Sequence, residues 1–333
     1  MSRDRGPRRL RSLDRSARIA TSVTALSLTA SGCMVVHGER EVLPAATRAE
    51  AAKALQQFTN AYNKADKEYD SSLDADFVTG ALEDIDRARL KAGAANNPDG
   101  NPAHTPLKLT DAKYTIPKKA GWPRWFVADA AGNKGGTLRW LLVFTRGGLA
   151  EPWEVAYLTL VPPGKVPEFK KDADGFAEPV PVNSTELAVA PGDLSKSYAS
   201  YLKAGGETFA DGVNTDQWRA AREENERRPG MVTQYIDEPL TSGDYAPLAL
   251  RTADGGALVF FTTHHYEKRT AAPGTSVPAP NKDVLALTTG EIKQSLTMQF
   301  VSNEVALDPA KGSGDQAVAV LSRIQGMTSA QGE

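Results

Sequence analysis

From Thr47 onward the chain switches between two hydrophobic rhythms, one helical and one strand-like. Leu55, Phe58, Tyr62, Ala65 and Tyr69 recur at spacings of three and four, which places them on one face of a helix. Thr47 and Glu50 form the T-x-x-E pattern of a capping box, in which each side chain takes up an amide left unpaired at the helix start. Val78, Leu82 and Ile85 predict a second helical stretch, and residues 92–106 read as a polar loop rich in Gly, Pro and Asn. Strands are predicted next at 113–116, 125–128, 137–145 and 153–161. The last is apolar on both faces, as a central strand would be, and Pro162-Pro163-Gly164 ends it.

Residues 170–192, with Pro179, Pro181 and Pro191 among small and polar neighbours, mark a boundary. Beyond it the pattern starts again. Asp193 stands as an N-cap before Leu194, Tyr198, Tyr201, Leu202 and Phe209, and residues 215–228 form a charged helix ended by Pro229-Gly230. Strands follow at 232–236, 248–252, 258–266 and 292–301. The Asp254-Gly255-Gly256 turn stands before its strand as Gly135-Gly136 does in the first half, and residues 270–283 form an inserted loop. A last helix is expected at 316–324, with a flexible tail at 327–333. The fold class is therefore α+β: two similar lobes, 47–169 and 193–326, each a helix pair packed on a curved antiparallel sheet.

That element order resembles the cone-shaped fold of the nuclear-transport-factor-two superfamily. The resemblance implies a pocket between helices and sheet. Trp122, Trp125, Trp140, Trp153 and Tyr157, clustered in the first half, are the first candidates to line it.

Charge changes the picture at the N-terminus. Overall the net charge is −2, but the first 32 residues hold seven arginines against two aspartates, so the rest of the chain is at −7. An acidic body is a poor nonspecific binder of nucleic acid. The basic stretch precedes a short apolar run, residues 19–29, and then Ala30-Ser31-Gly32-Cys33. A run that short falls below the roughly 20 residues of a membrane span and fits a cleavable signal peptide, residues 1–32. Arg8-Arg9 suits the twin-arginine route, and the segment also suits the general secretory route. Cys33, the single cysteine, resembles the acceptor of a lipobox, although Ala30 stands where leucine is usual. The resemblance implies a diacylglyceryl thioether on Cys33, with residues 33–46 as a tether to the extracytoplasmic face of the cell membrane. With its Ala/Asp/Gly/Arg-rich usage, the chain is similar to lipoproteins of high-GC actinobacteria such as streptomycetes.

No motif assigns a catalytic residue, a metal or a cofactor. His264 and His265 are neighbours on a strand and point to opposite faces, which prevents them from sharing a metal. Ser200-Tyr201-Leu202-Lys203 fits S-x-x-K but lacks the companion K-T-G. Gly312-Ser313-Gly314 has the spacing of a phosphate loop, without the parallel βαβ unit that such a loop needs. Arg219 to Arg228 mixes both signs, as a solvated helix face does. The expected function is nonenzymatic binding or assembly at the membrane surface, with an envelope protein or a small apolar ligand as partner. The alternative is a small-molecule enzyme using an Asp or Glu in a cone-shaped pocket.

Overall fold

A computed structural model describes residues 41–333. Cys33, the signal segment and most of the tether lie outside the described residues. The chain enters through β1 (Leu43–Pro44) and turns into α1 (Arg48–Glu68). The capping box forms at this start: Thr47 N–H donates to Glu50 Oε2 at 2.7 Å, and Glu50 N–H donates to Thr47 Oγ1 at 3.1 Å. α1 ends at Tyr69, which takes a left-handed conformation with φ 54°. The Tyr69 ring lies against Gly93 of α2 (Gly80–Asn96), where any Cβ would come within 2.3 Å of it. A residue larger than glycine at 93 would hold the two helices apart.

The first half continues with β2 (Leu109–Thr115), β3 (Lys118–Lys119), β4 (Arg124–Gly132), β5 (Arg139–Arg146) and β6 (Glu154–Val161). β3 pairs with β1, and the others form an antiparallel sheet in the order β2-β4-β5-β6. Strand alternation divides its side chains between two cores. Phe126, Leu142 and Phe144 turn toward Ala51, Leu55 and Phe58 of α1. Trp125, Val127, Leu141 and Val143 turn the other way, toward the second sheet.

The second half holds α3 (Leu194–Ala204), α4 (Asp216–Glu226), β7 (Arg227–Arg228), β8 (Met231–Leu240), β9 (Leu248–Arg251), β10 (Ala257–Ala271), α5 (Lys282–Leu287), β11 (Thr288–Thr289), β12 (Ser295–Asp308) and β13 (Ala319–Gly332). They build a seven-stranded sheet in the order β11-β13-β12-β10-β8-β7, with β9 also on β10. All its pairs are antiparallel except β11 with β13. Leu258, Phe260 and Val305 from one face meet the back of the four-stranded sheet. Val259, Phe261 and Ala306 from the other face pack under Leu194, Tyr198 and Leu202 of α3. The fold is mixed α+β with antiparallel sheets, stacked helix–sheet–sheet–helix.

Three details depart from the sequence reading. The second helix of the first half does not stay on its own sheet: Ile85 of α2 rests on Gly326 of β13, where a Cβ would approach it within 2.5 Å. Residues 170–192 run along the second half, bridging Pro179 to Leu250 and Leu187 to Ala310. The expected last helix and flexible tail are instead one strand, β13, paired along β12. Ala317, Val320, Leu321 and Ile324 mimic a helical spacing, while the sheet uses the alternation of Val318 and Val320, which turn to α3, until a bulge at Leu321 turns Ser322 to the other face.

Candidate functional site

The face of the seven-stranded sheet under α3 and α4 changes character along its length. Val259 and Phe261 give way on β10 to Thr263, His265, Glu267 and Arg269. Register brings matching polar groups alongside: Asp237 opposite His265, Tyr235 opposite Glu267, Glu304 opposite Phe261 and Arg323 opposite Glu304. α4 crosses above with Trp218, Arg222 and Asn225 at spacings of four and three, on one helical face.

Arg222 grips Asp237 through both ends of its guanidinium, at 2.7 and 2.9 Å, and both side chains are only 6% and 5% exposed. The same guanidinium stands 5.0 Å from the Trp218 ring and 4.9 Å from the Tyr235 ring, while Arg323 lies 4.4 Å from Trp218. Beneath them Glu304 is fully buried. It accepts a hydrogen bond from Thr263 Oγ1 at 2.7 Å, and its Oε1 is 3.6 Å from Arg323 Nε. Burial pushes the Glu304 carboxyl up to about 8 against the pull of Arg323. His265 stacks flat on Phe300 at 4.7 Å; burial first, then Arg323 and Arg222, push it down to about 2 and keep it neutral.

Above this floor opens a cleft of about 260 Å³ lined by Trp218, Asn225, Arg228, Tyr235, Glu267 and Arg269, among others. Arg269 is paired with Glu267 at 2.6 Å, Arg228 is exposed, and Trp218 Nε1 has no acceptor among the described residues. Burial raises Tyr235 above its ordinary value. A larger groove of about 680 Å³ runs between the back of the four-stranded sheet and residues 163–171. Its Arg139 is already held by Asp129 at 2.6 Å and Asp111 at 3.0 Å. A second buried ionic cluster ties α1 to α2: Arg89 joins Asp66 and Asp86, and His104 Nδ1 sits 2.8 Å from Asp66. Asp74 in that cluster is pushed up, by burial and then by Asp86. It does not line the cleft.

A family model described as a domain of unknown function (DUF8094) matches residues 42–332, nearly all of the described chain. The chain belongs to this family. An uncharacterized lipoprotein of Streptomyces coelicolor is 74% identical over the whole of both chains, and one of Streptomyces avermitilis is 61% identical, again over the whole of both. A second Streptomyces coelicolor lipoprotein is 26% identical over 93% of each chain. No solved structure matches the chain. The likeness to streptomycete lipoproteins read from the sequence is thereby shown, while the cone-fold resemblance has no solved structure behind it. Among the described residues no helix is long and apolar enough to cross a membrane.

Four of the five aromatic residues expected from sequence as pocket lining are core in this DUF8094 fold, and the fifth, Trp122, is half-buried beside Arg124 and Arg146. Trp125 and Tyr157 pack between the sheets, where the Tyr157 hydroxyl donates to the carbonyls of Tyr245 and Ala246. Trp140 and Trp153 face α1 from the opposite side. The four do not converge and none lines the cleft. His264 and His265 do point to opposite faces, His264 to Glu238 at 3.6 Å. Ser200 and Lys203 are both exposed on α3, and Gly312-Ser313-Gly314 leads into a strand. The cleft residues were missed because 219–228 read as a solvated face. Trp218, Arg222 and Asn225 at spacings of four and three were the available signal.

Proposed function

We propose that the protein is a lipoprotein held through acylated Cys33 to the extracytoplasmic face of the cell membrane, and that it works by binding at the cleft beneath α4. The anchor reading is supported by the Ala30–Cys33 box and by full-length identity with lipoproteins. The observation that carries the binding reading is the cleft lining. Trp218 and Tyr235 offer flat apolar faces, and the exposed Arg228 offers charge, over a floor fixed by buried ion pairs. Such a lining suits a planar group with an acidic substituent, on a small molecule or on a side chain of a partner protein. That ligand is more polar than the apolar one expected from sequence. The enzyme alternative is less well served: Glu304 does not line the cleft, and Glu267, which does, is tied to Arg269.

Two experiments test the two parts. Cys33→Ala should move the protein out of the membrane fraction; unchanged processing and unchanged membrane attachment would sink the anchor. Titration with phenylacetate and related aromatic carboxylates, followed by tryptophan fluorescence, should saturate, and Arg228→Ala should weaken it roughly tenfold. A flat response of the native protein across the series rules out this use of the cleft.

A further inference from the structure

At the far end of the four-stranded sheet, next to the point where the chain enters the fold, two arginines face each other directly. Arg124 of β4 and Arg146 of β5 are register partners. Like charges opposite one another across a strand pair repel. Ion pairs elsewhere in the fold relieve such charges, as at Arg139 and Arg222. Here no carboxylate lies within 4.0 Å of either guanidinium among the described residues. The nearest acid to influence them is Glu50, which is committed to the capping box. Indoles hold the pair in place instead. Arg124 lies 4.8 Å and Arg146 5.5 Å from the Trp122 ring, and Arg146 lies 4.5 Å from Trp153. Nε of each arginine is buried without a hydrogen-bond partner among the described residues. Lys119 adds a third cation, its Nζ donating to Pro123 O at 2.6 Å.

The surroundings say what the two charges meet. Arg124 reaches the carbonyl of Pro44 at 3.4 Å, so the pair sits where β1 enters the fold. Leu43 lies ten positions along the chain from Cys33, and ten extended residues span at most about 35 Å. The loop after Arg146 carries Leu149, 78% exposed, and Val42 just before β1 is 61% exposed. Paired arginines, an interfacial tryptophan and exposed aliphatic side chains together match a bilayer surface.

We infer that Arg124 and Arg146, both held against Trp122 and the second also against Trp153, dock this end of the fold onto the phosphate of an anionic phospholipid headgroup. The inference rests on the anchor reading. It adds that the body is oriented, with this end of the four-stranded sheet toward the membrane.

The test uses the acylated full chain in vesicles, with Leu149→Cys carrying an environment-sensitive fluorophore. Pelleting with vesicles reports the anchor, and the emission shift reports docking. A blue shift is expected with phosphatidylglycerol vesicles and none with phosphatidylcholine. Arg124→Gln/Arg146→Gln should still pellet but lose the shift, and Arg124→Lys/Arg146→Lys, which keeps the charge, should retain it. Docking is overturned by an equal shift in both vesicles, by a shift that survives the Gln pair, or by a Lys pair that docks no better than the Gln pair. Inorganic phosphate that abolishes the difference between native and Gln chains without any vesicle shift would assign the pair to a soluble anion and also overturn it. A chain that pellets with neither vesicle overturns both the anchor and the docking.

Discussion

Arg222→Ala is expected to lower folding stability by about 3–5 kcal/mol, because it leaves Asp237 as an unpaired charge in the interior. For a fold of this size that corresponds to a drop of about 10 °C in melting temperature. Three contacts go together: the two-pronged bond to Asp237 and the ring faces of Trp218 and Tyr235. The companion Asp237→Ala should cost a similar amount. The double substitution Arg222→Met/Asp237→Leu, which removes both charges and fills the volume, should cost far less than the sum of the single changes. Thermal melts of the four proteins decide it; single changes within a degree or two of the native protein would mean that the pair is solvated and the cleft floor is not rigid.

Glu304 predicts the pH response. In the unfolded chain its carboxyl ionises near the ordinary 4.5, and in the fold burial holds the proton to about 8. The native state therefore binds more protons between those values. The contribution of this group is complete below pH 4.5 and is lost as pH rises through 8. Asp308 and Glu154, each raised to about 7, chiefly by burial, act in the same direction. His265 acts in the opposite one: depressed to about 2, it contributes stability above 6.5 that is lost as pH falls. Three raised carboxyls outweigh one depressed imidazole, so the melting temperature should be highest at about pH 4 and decline as pH rises toward 8. Glu304→Gln keeps the shape and the acceptor for Thr263 but has no proton to lose, so its alkaline decline should be shallower. Identical pH profiles for the two proteins would show that Glu304 is not the group responsible.

Much of the architecture was legible because it is local. The Thr47–Glu50 box, the stripe from Leu55 to Tyr69 and the strands containing Trp140 and Tyr157 are each written in fifteen or fewer consecutive residues. Patterns resolved only by distant partners were misread. Residues 316–324 carry a helical spacing, and only the waiting edge of β12 draws them and the expected tail at 327–333 into a strand. Packing hid the site in the same way. Beyond the spacing of Trp218, Arg222 and Asn225, nothing near Arg222 in sequence shows that it is buried, since Asp237 and Tyr235 reach it from β8, on which α4 packs. Tryptophan density pointed to the first half, where large rings fill the space between layers, while the cleft uses the isolated Trp218.

The position of β13 has a consequence for how the chain becomes a protein. This strand pairs along its length with β12, its last residues are also flanked by β11, and the backbone of Glu333 closes against residues 293–295. Without residues 319–332, β12 would have a bare flank and the face that carries Glu304 would lack Arg323. Closure of the larger sheet is thus tied to β13 finding β12, and loss of that strand would unmake the architecture instead of trimming a dispensable tip.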